Sequence, residues 1–162
     1  MTRKEYNDNI QQWSGHVLRY AVWHCGDDMR GEDAMQEAFA ELWQKRDRVE
    51  VAQGLGFLLT VVRRYLIDCY RHDEVTHRVH DELRHREEAD HTMERSMMLG
   101  DALQQALQKL PEVQRDILLL RDSEGYSYKE IAAMLQLSQQ KVEVYLFRAR
   151  VAMRKMLAAI KD

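Results

Sequence analysis

One stretch near the C-terminal end, residues 127–156, constrains the fold more than any other part of the chain. Ser127 and Glu130 have the spacing of a capping box, which predicts the start of a short helix. Leu137 closes a turn, and Ser138 is placed to cap a second helix. That second helix repeats apolar residues at steps of four, three and four, namely Val142, Leu146, Ala149 and Met153. This pattern predicts a helix-turn-helix, whose second helix enters the major groove of DNA.

The other face of this second helix is expected to carry the contacts to DNA. Its side chains are Gln139, Gln140, Lys141, Glu143, Val144, Phe147 and Arg148. Arg148 has the reach for a base edge or a phosphate, and Phe147 for a thymine methyl group. Tyr128 and Lys129 begin the first helix and are placed to touch the DNA backbone. On this pattern alone, a helical hairpin with a solvated polar face remains an alternative.

The rest of the chain also predicts helices, so the fold class is all-α. Among 162 residues there is one proline, and long segments are rich in good helix formers. Apolar residues recur at helical spacing over residues 4–24, 32–45, 57–71, 97–110 and 111–122. Gly26, Gly54, Gly56 and Gly125 are predicted to separate these segments, and Pro111 fits a first helical turn.

Residues 72–96 lose the apolar periodicity and hold five of the seven histidines. This stretch is predicted to be a flexible tether between a first domain, residues 1–71, and a second, residues 97–162. Its acidic excess accounts for most of the formal net charge of −3. A zinc site on His77, His80, His85 and His91 is the alternative, but the spacing matches no standard site. We therefore expect no bound metal and no cofactor.

The compartment is predicted to be the cytoplasm. Cys25 and Cys69 lie far apart in the sequence and form no CxxC pair, which favours a reduced environment. No apolar run reaches the length of a spanning helix, and the N-terminus lacks a signal-peptide pattern. We expect no membrane insertion.

Two further segments, taken with the helix-turn-helix, resemble a known family. Residues 32–47 read EDAMQEAFAELWQKRD, and residues 57–72 read FLLTVVRRYLIDCYRH. Residues 103–138 contain LPEVQRDILLLR and GYSYKEIA, followed by LFRAR. In this order and separation they resemble regions two and four of a bacterial extracytoplasmic-function (group IV) sigma factor. The resemblance extends over nearly the whole chain.

The resemblance implies a transcription initiation factor that performs no chemistry itself. Its expected partners are promoter DNA and core RNA polymerase, through the β′ clamp helices and the β flap. The D-x-x-Q-E-x-F core implies a polymerase-binding surface of Asp33, Gln36, Glu37 and Phe39, supported by Leu42 and Trp43. Regulation by an anti-sigma factor, by another partner or by expression alone stays open.

The same resemblance implies two DNA contacts. The basic and aromatic end of the first domain would open and read the −10 element, through Arg63, Arg64, Tyr65 and Arg71. The second helix of the helix-turn-helix would read the −35 element. Arg64 stands where relatives often have an asparagine, which leaves the −10 preference open. Glu143 stands where they usually have a basic residue, which indicates an unusual −35 sequence or weak upstream binding; an ordinary surface residue is the alternative.

Two other functions compete with this interpretation. A standalone DNA-binding regulator would dimerise through residues 1–71 and would not need polymerase. A metal phosphohydrolase is suggested by the His72-Asp73 and His80-Asp81 pairs, but these fall in the stretch with the least predicted structure. We predict that the protein is not an enzyme.

Overall fold

The computed structural model describes the backbone of residues 1–94 and 98–161, and the side chains of residues 1–75 and 100–159. Its helices are α1 (Arg3–Cys25), α2 (Asp28–Gln44), α3 (Val51–Glu94), α4 (Met98–Lys109), α5 (Glu112–Leu118), α6 (Tyr128–Leu135) and α7 (Gln139–Lys161). A π-helical segment, Leu119–Ser123, continues α5. The predicted all-α fold class is therefore confirmed.

The first three helices pack against one another and form what we call the N-terminal unit, residues 1–75. Thr2 and Glu5 form a capping box at the start of α1, and Asp27 caps α2 by accepting from two backbone N–H groups. Gly26, with φ 75°, ends α1 in the left-handed conformation that favours glycine. The centre of this unit is apolar, with Val17, Ala38, Leu58, Leu59, Val62 and Leu66 all buried.

Two expectations about α3 are wrong. The predicted break at Gly54 and Gly56 does not exist, because α3 begins at Val51 and includes both glycines. Gly54 instead gives room to an aromatic ring, since a Cβ there would lie 2.3 Å from Cη2 of Trp13. The helix also does not end near Arg71 but runs to Glu94. Residues 57–94 contain no glycine or proline, so their helical propensity is maintained throughout. The loss of apolar periodicity after residue 71 reduces the apolar surface available for packing, but it does not end the helix.

The tether itself stays a prediction. Most of residues 72–96 lies outside the described side chains, and residues 95–97 lie outside the described backbone. The four histidines of the alternative zinc site lie there too. Among the side chains that the structure describes, no group of three possible metal ligands occurs.

The last four helices form the C-terminal unit, residues 100–159, in which α7 packs against α4, α5 and α6. Pro111 precedes α5 as its N-cap residue rather than lying in its first turn. In the π-helical segment the Glu124 N–H donates to the Leu119 carbonyl at 3.0 Å, a spacing of five residues. Gly125 follows with φ 78° and ends the segment, as predicted.

A glycine in α2 fixes how closely the first two helices approach. A Cβ on Gly31 would lie 2.7 Å from Cγ2 of Val22 and 3.2 Å from the Val22 backbone nitrogen. We expect Gly31→Ala to destabilise the fold by about 1–3 kcal/mol, because α1 would have to move away. Gly15, also within a helix, has no atom within 4 Å of such a Cβ. Gly15→Ala is the matched control and should stabilise by about 0.4–1 kcal/mol in urea titrations followed by circular dichroism.

Candidate nucleic-acid interface

The helix-turn-helix forms as predicted, with a cap at each start. The Ser127 hydroxyl accepts from the Glu130 N–H at 3.1 Å, and the Glu130 carboxylate accepts from the Ser127 N–H at 3.2 Å. Gln136 adopts a left-handed conformation, φ 57°, and ends α6. The Ser138 hydroxyl then accepts from the Lys141 N–H at 3.2 Å, which starts α7. Local hydrogen bonds therefore fix where α6 begins and ends and where α7 begins.

The two faces of α7 are divided as its periodicity indicated. The four apolar residues of its predicted inner stripe are buried: Val142, Leu146, Ala149 and Met153. The predicted DNA-facing residues are exposed: Gln139, Gln140, Lys141, Glu143, Val144, Phe147 and Arg148. Phe147 is 66% exposed, which is unusual for a large apolar side chain and marks this face as a surface for contact.

The start of α6 supports the same face. Lys129 is exposed, whereas Tyr128 is half-buried with the Arg121 guanidinium 4.9 Å from the centre of its ring. Arg121 also donates to the Tyr126 carbonyl at 2.9 Å, and this hydrogen bond restrains the loop before α6. These contacts hold the first turn of α6, and its predicted contact with a DNA backbone stays a prediction.

The predicted polymerase-binding surface lies along α2. Asp33, Gln36 and Glu37 are exposed on one side of the helix, and Phe39 is half-buried beside them. Leu42 is a correction: it is fully buried, because its position on α2 faces α1 and α3, and it belongs to the core.

Trp43 closes the end of this surface and is held in place by two neighbours. Its ring packs edge-on against Tyr6, with centroids 4.9 Å apart, and the Arg46 guanidinium lies 3.8 Å from its centre. The Tyr6 hydroxyl donates to the Phe39 carbonyl at 2.9 Å. The two half-buried aromatic residues of the predicted surface are therefore pre-positioned by one tyrosine of α1.

The basic side chains of α3 are less free than the sequence suggested. Arg64 donates to Glu41 at 3.2 Å, while Arg71 is exposed and Tyr65 is half-buried. Arg63 donates through Nε to Asp116 of the C-terminal unit at 2.7 Å. Tyr70, further along α3, packs inside the contact between the two units.

That contact centres on a fully buried carboxylate, Asp116. It accepts from the Tyr20 hydroxyl, from His24 Nε2 at 2.7 Å and from Arg63. Burial acts to raise the pKa of Asp116, but the charge and hydrogen bond of His24, the hydrogen bond of Tyr20 and the charge of Arg63 outweigh it and lower the pKa. The carboxylate is therefore ionised, and its field and burial together raise the pKa of Tyr20 well above the usual range.

A second buried side chain, Arg115, joins the helix ends of both units. Its guanidinium donates to the His24 carbonyl at 2.8 Å and to the Leu107 and Leu110 carbonyls at 2.9 and 3.2 Å. These carbonyls lie at the ends of α1 and α4, where a cation is favourable. The buried apolar residues of the two units also form one cluster. The chain is thus closed, with its units packed face to face.

Sequence reasoning missed this contact. One feature of the sequence could have indicated that Asp116 is buried. It lies three residues after Val113 and four before Leu120, on the apolar side of α5. A charged residue in such a stripe needs partners when buried. The sequence could not show that those partners come from the other unit.

Family models match both units. A model of "Sigma-70 region 2" matches residues 10–76, and a model of "Sigma-70, region 4" matches residues 100–153. The ECF RNA polymerase sigma factor SigE of Mycolicibacterium smegmatis is 26% identical over 94% of this chain and 62% of its own length. The RNA polymerase sigma-H factor of Pseudomonas aeruginosa is 38% identical over 43% of this chain and 41% of its own length. The chain therefore spans less than two thirds of these relatives.

Solved structures share the fold. The sigma factor RpoE of Bartonella quintana, in complex with the anti-sigma factor NepR, superposes with a TM-score of 0.72 at 18% identity over 96% of this chain and 98% of that one. CnrH, in complex with the cytosolic domain of CnrY, superposes with a TM-score of 0.71 at 21% identity over 98% of this chain and 90% of that one. In the part of the chain that is described, no helix is long and apolar enough to cross a membrane. With both regions present in order, the chain belongs to the sigma-70 family.

Proposed function

We propose that this protein is a transcription initiation factor that binds core RNA polymerase in the cytoplasm and directs it to a class of promoters. The observation that carries the proposal is the presence of region 2 and region 4 in one chain, each with its expected contact face exposed. The protein contributes binding and positioning, and the polymerase forms the phosphodiester bonds. Residues 1–71 and 97–162 act as the two binding domains, with residues 72–96 as the tether.

The polymerase contact uses the exposed side of α2. Asp33, Gln36 and Glu37 offer polar groups around the half-buried rings of Phe39 and Trp43, an arrangement typical of a protein interface with an aromatic centre. We assign this surface to the β′ clamp helices and the C-terminal unit to the β flap. Leu42 supports the surface from within the core.

The DNA contacts divide between the units. Arg64, Tyr65 and Arg71 of α3, with Arg63 once it is released, bind the −10 strand by charge and stacking. The exposed face of α7 and the first turn of α6 bind the −35 duplex. The pairing of Arg64 with Glu41 means that its contact with DNA has to displace an exposed ion pair, which costs little.

An anti-sigma factor is the regulator that we propose. The sigma factor RpoE, whose fold this chain shares, was captured with the anti-sigma factor NepR, and the two units of this chain are closed. Co-expression with a candidate anti-sigma factor, followed by size-exclusion chromatography, tests the proposal. A stable complex that excludes core polymerase is the expected result.

A standalone regulator is the competing function, and polymerase binding separates the two. We expect the purified protein to bind purified core enzyme at a one-to-one ratio in a pull-down and in analytical ultracentrifugation. A regulator would bind duplex DNA as a dimer and leave the core enzyme untouched.

The acidic residue on the α7 face should weaken DNA binding. Glu143 is exposed beside Val144, Phe147 and Arg148, so its carboxylate meets the phosphates that this face approaches. We expect Glu143→Lys to tighten binding to a −35 duplex and to steepen the log–log dependence on salt by about one unit. The change should be largest at low salt and should alter or relax the preferred sequence.

The matched control is Asp8→Lys, which makes the same charge change at an exposed position on α1. Fluorescence anisotropy at several salt concentrations gives affinity and slope for both variants. If Glu143→Lys behaves like Asp8→Lys and the preferred sequence is unchanged, the α7 face is not the surface that reads DNA.

A further inference from the structure

We propose that Asp116 is an interdomain latch: it holds the two units closed and keeps Arg63 occupied until polymerase or promoter DNA opens the chain. The proposal rests on the proposed function in one respect only, the role of Arg63 in binding the −10 strand. The latch itself follows from the contacts around a single carboxylate.

All three hydrogen bonds that the structure gives to the Asp116 carboxylate come from the other unit. Tyr20 and His24 donate from α1, and Arg63 donates from α3, while Asp116 lies on α5. Tyr20, His24 and Asp116 are fully buried or nearly so, whereas the Arg63 side chain is 21% exposed. Separating the units therefore removes every described partner of a buried charge at once, which makes the contact cooperative.

Neighbouring hydrogen bonds between the two units also stabilise the closed form, and they do not involve the residues assigned to DNA binding. The side-chain amides of Gln104 and Gln108 donate to the Trp23 and His24 carbonyls at 3.3 and 3.1 Å. On the outside of the contact, Arg19 of α1 donates to both oxygens of Glu124 at 3.1 Å. Each of these contacts joins one residue of each unit, and Arg115 reaches His24 and Tyr70 of the N-terminal unit. The Asp116 carboxylate accepts from three residues of that unit.

The closed chain is too small to do its proposed work. The two packed units, residues 1–75 and 100–159, form a compact body with a radius of gyration of roughly 14 Å, about 40 Å across. The −10 and −35 elements lie about 25 base pairs apart, or about 85 Å at 3.4 Å per base pair. One molecule therefore has to separate its units to reach both elements. Opening and the release of Arg63 are the same event, because Asp116 moves away with the C-terminal unit.

The latch affects the two DNA contacts unequally. In the closed chain the α7 face stays exposed, including Phe147 and Arg148, while Arg63 is bound. The free protein should therefore retain its weak affinity for duplex DNA and lack much of its affinity for a single strand. If the closed form makes up about nine tenths of the molecules, complete opening strengthens single-strand binding about tenfold.

Asp116→Asn tests the latch. The substitution replaces one acceptor oxygen by an NH₂ group, which cannot accept a hydrogen bond from the donor that it faces, and it removes the negative charge. The matched control is Asp122→Asn, which breaks an exposed Asp–Arg pair with Arg150 within the C-terminal unit. Arg63→Gln releases the latch from its more exposed side and serves if Asp116→Asn does not fold. Circular dichroism checks the fold, small-angle X-ray scattering measures the radius of gyration, and fluorescence anisotropy measures binding to a labelled random-sequence single-stranded 12-mer.

We expect Asp116→Asn to increase the radius of gyration by several ångström and to strengthen binding of the 12-mer, with Asp122→Asn unchanged in both. Arg63→Gln should open the chain without the gain in binding. A folded Asp116→Asn and Arg63→Gln with the compact radius of the wild type would overturn the latch. Opening without tighter binding would uphold the latch and refute the assignment of Arg63 to the −10 strand, which separates the two failures.

Discussion

Replacing Gln36 and Phe39 together with alanine should weaken binding to core RNA polymerase about thirtyfold or more per folded molecule. Truncating a central interfacial aromatic costs on the order of 2 kcal/mol, which corresponds to that factor. Gln36 is exposed, whereas Phe39 is partly buried and packs against the core, so the double variant should also lose some stability. The hydrogen bond from Tyr6 to residue 39 uses the backbone carbonyl and survives the change.

The matched control is Met29→Ala with Gln44→Ala, one exposed apolar and one exposed polar residue at the two ends of α2. Biolayer interferometry with immobilised core enzyme gives the affinity, and circular dichroism verifies the fold. Equal affinities for the two double variants would show that polymerase binds elsewhere.

Leu42→Ala should affect stability rather than binding. We expect it to destabilise the protein by about 2–5 kcal/mol and to leave the polymerase affinity per folded molecule unchanged. The side chain is fully buried between helices, so its removal loses transfer free energy and leaves a cavity. The sequence motif groups Leu42 with the contact residues, and the structure places it beneath them. This pair of variants therefore separates binding residues from supporting residues within one helix.

Urea titrations measure the free energy of unfolding of Leu42→Ala. The control is Met29→Ala, because the Met29 side chain is 69% exposed, and this variant should change the free energy of unfolding by less than about 0.5 kcal/mol. Binding is measured at a temperature where the variant is folded. A stable Leu42→Ala protein that fails to bind polymerase would place this side chain at the interface after all.

The helix-turn-helix was predictable because its determinants are local. Ser127, Glu130 and Ser138 form their caps with residues three positions away, and the inner stripe of α7 follows from periodicity alone. Every residue assigned to the outer face of α7 is exposed in the structure. Short-range hydrogen bonds and side-chain spacing are visible in a sequence, so this part of the site needed no tertiary information.

The errors arose where packing between distant residues overrides local signals. Gly54 resembled a helix break but makes space for Trp13, some forty positions earlier in the chain. Leu42 belonged to a motif associated with binding, yet its side of α2 faces the core. A motif identifies which residues matter to a family without stating which of them reach the surface.

The interdomain contact lay beyond sequence reasoning for the same reason. Asp116 pairs with Tyr20, His24 and Arg63, all more than fifty residues away. Nothing in the spacing of these residues indicates that they meet. The sequence indicated a cluster of basic residues between Arg63 and Arg71 of α3, but only the tertiary structure shows that one of these arginines is bound by the other unit.

The most direct test of the account is transcription by purified core enzyme from a library of promoter fragments, with and without this protein. The account predicts that transcripts start from fragments sharing an upstream and a downstream element only when the protein is present, and that the Gln36→Ala, Phe39→Ala variant abolishes them. Duplex binding by the protein with no start site that depends on it would contradict the account and identify a standalone regulator.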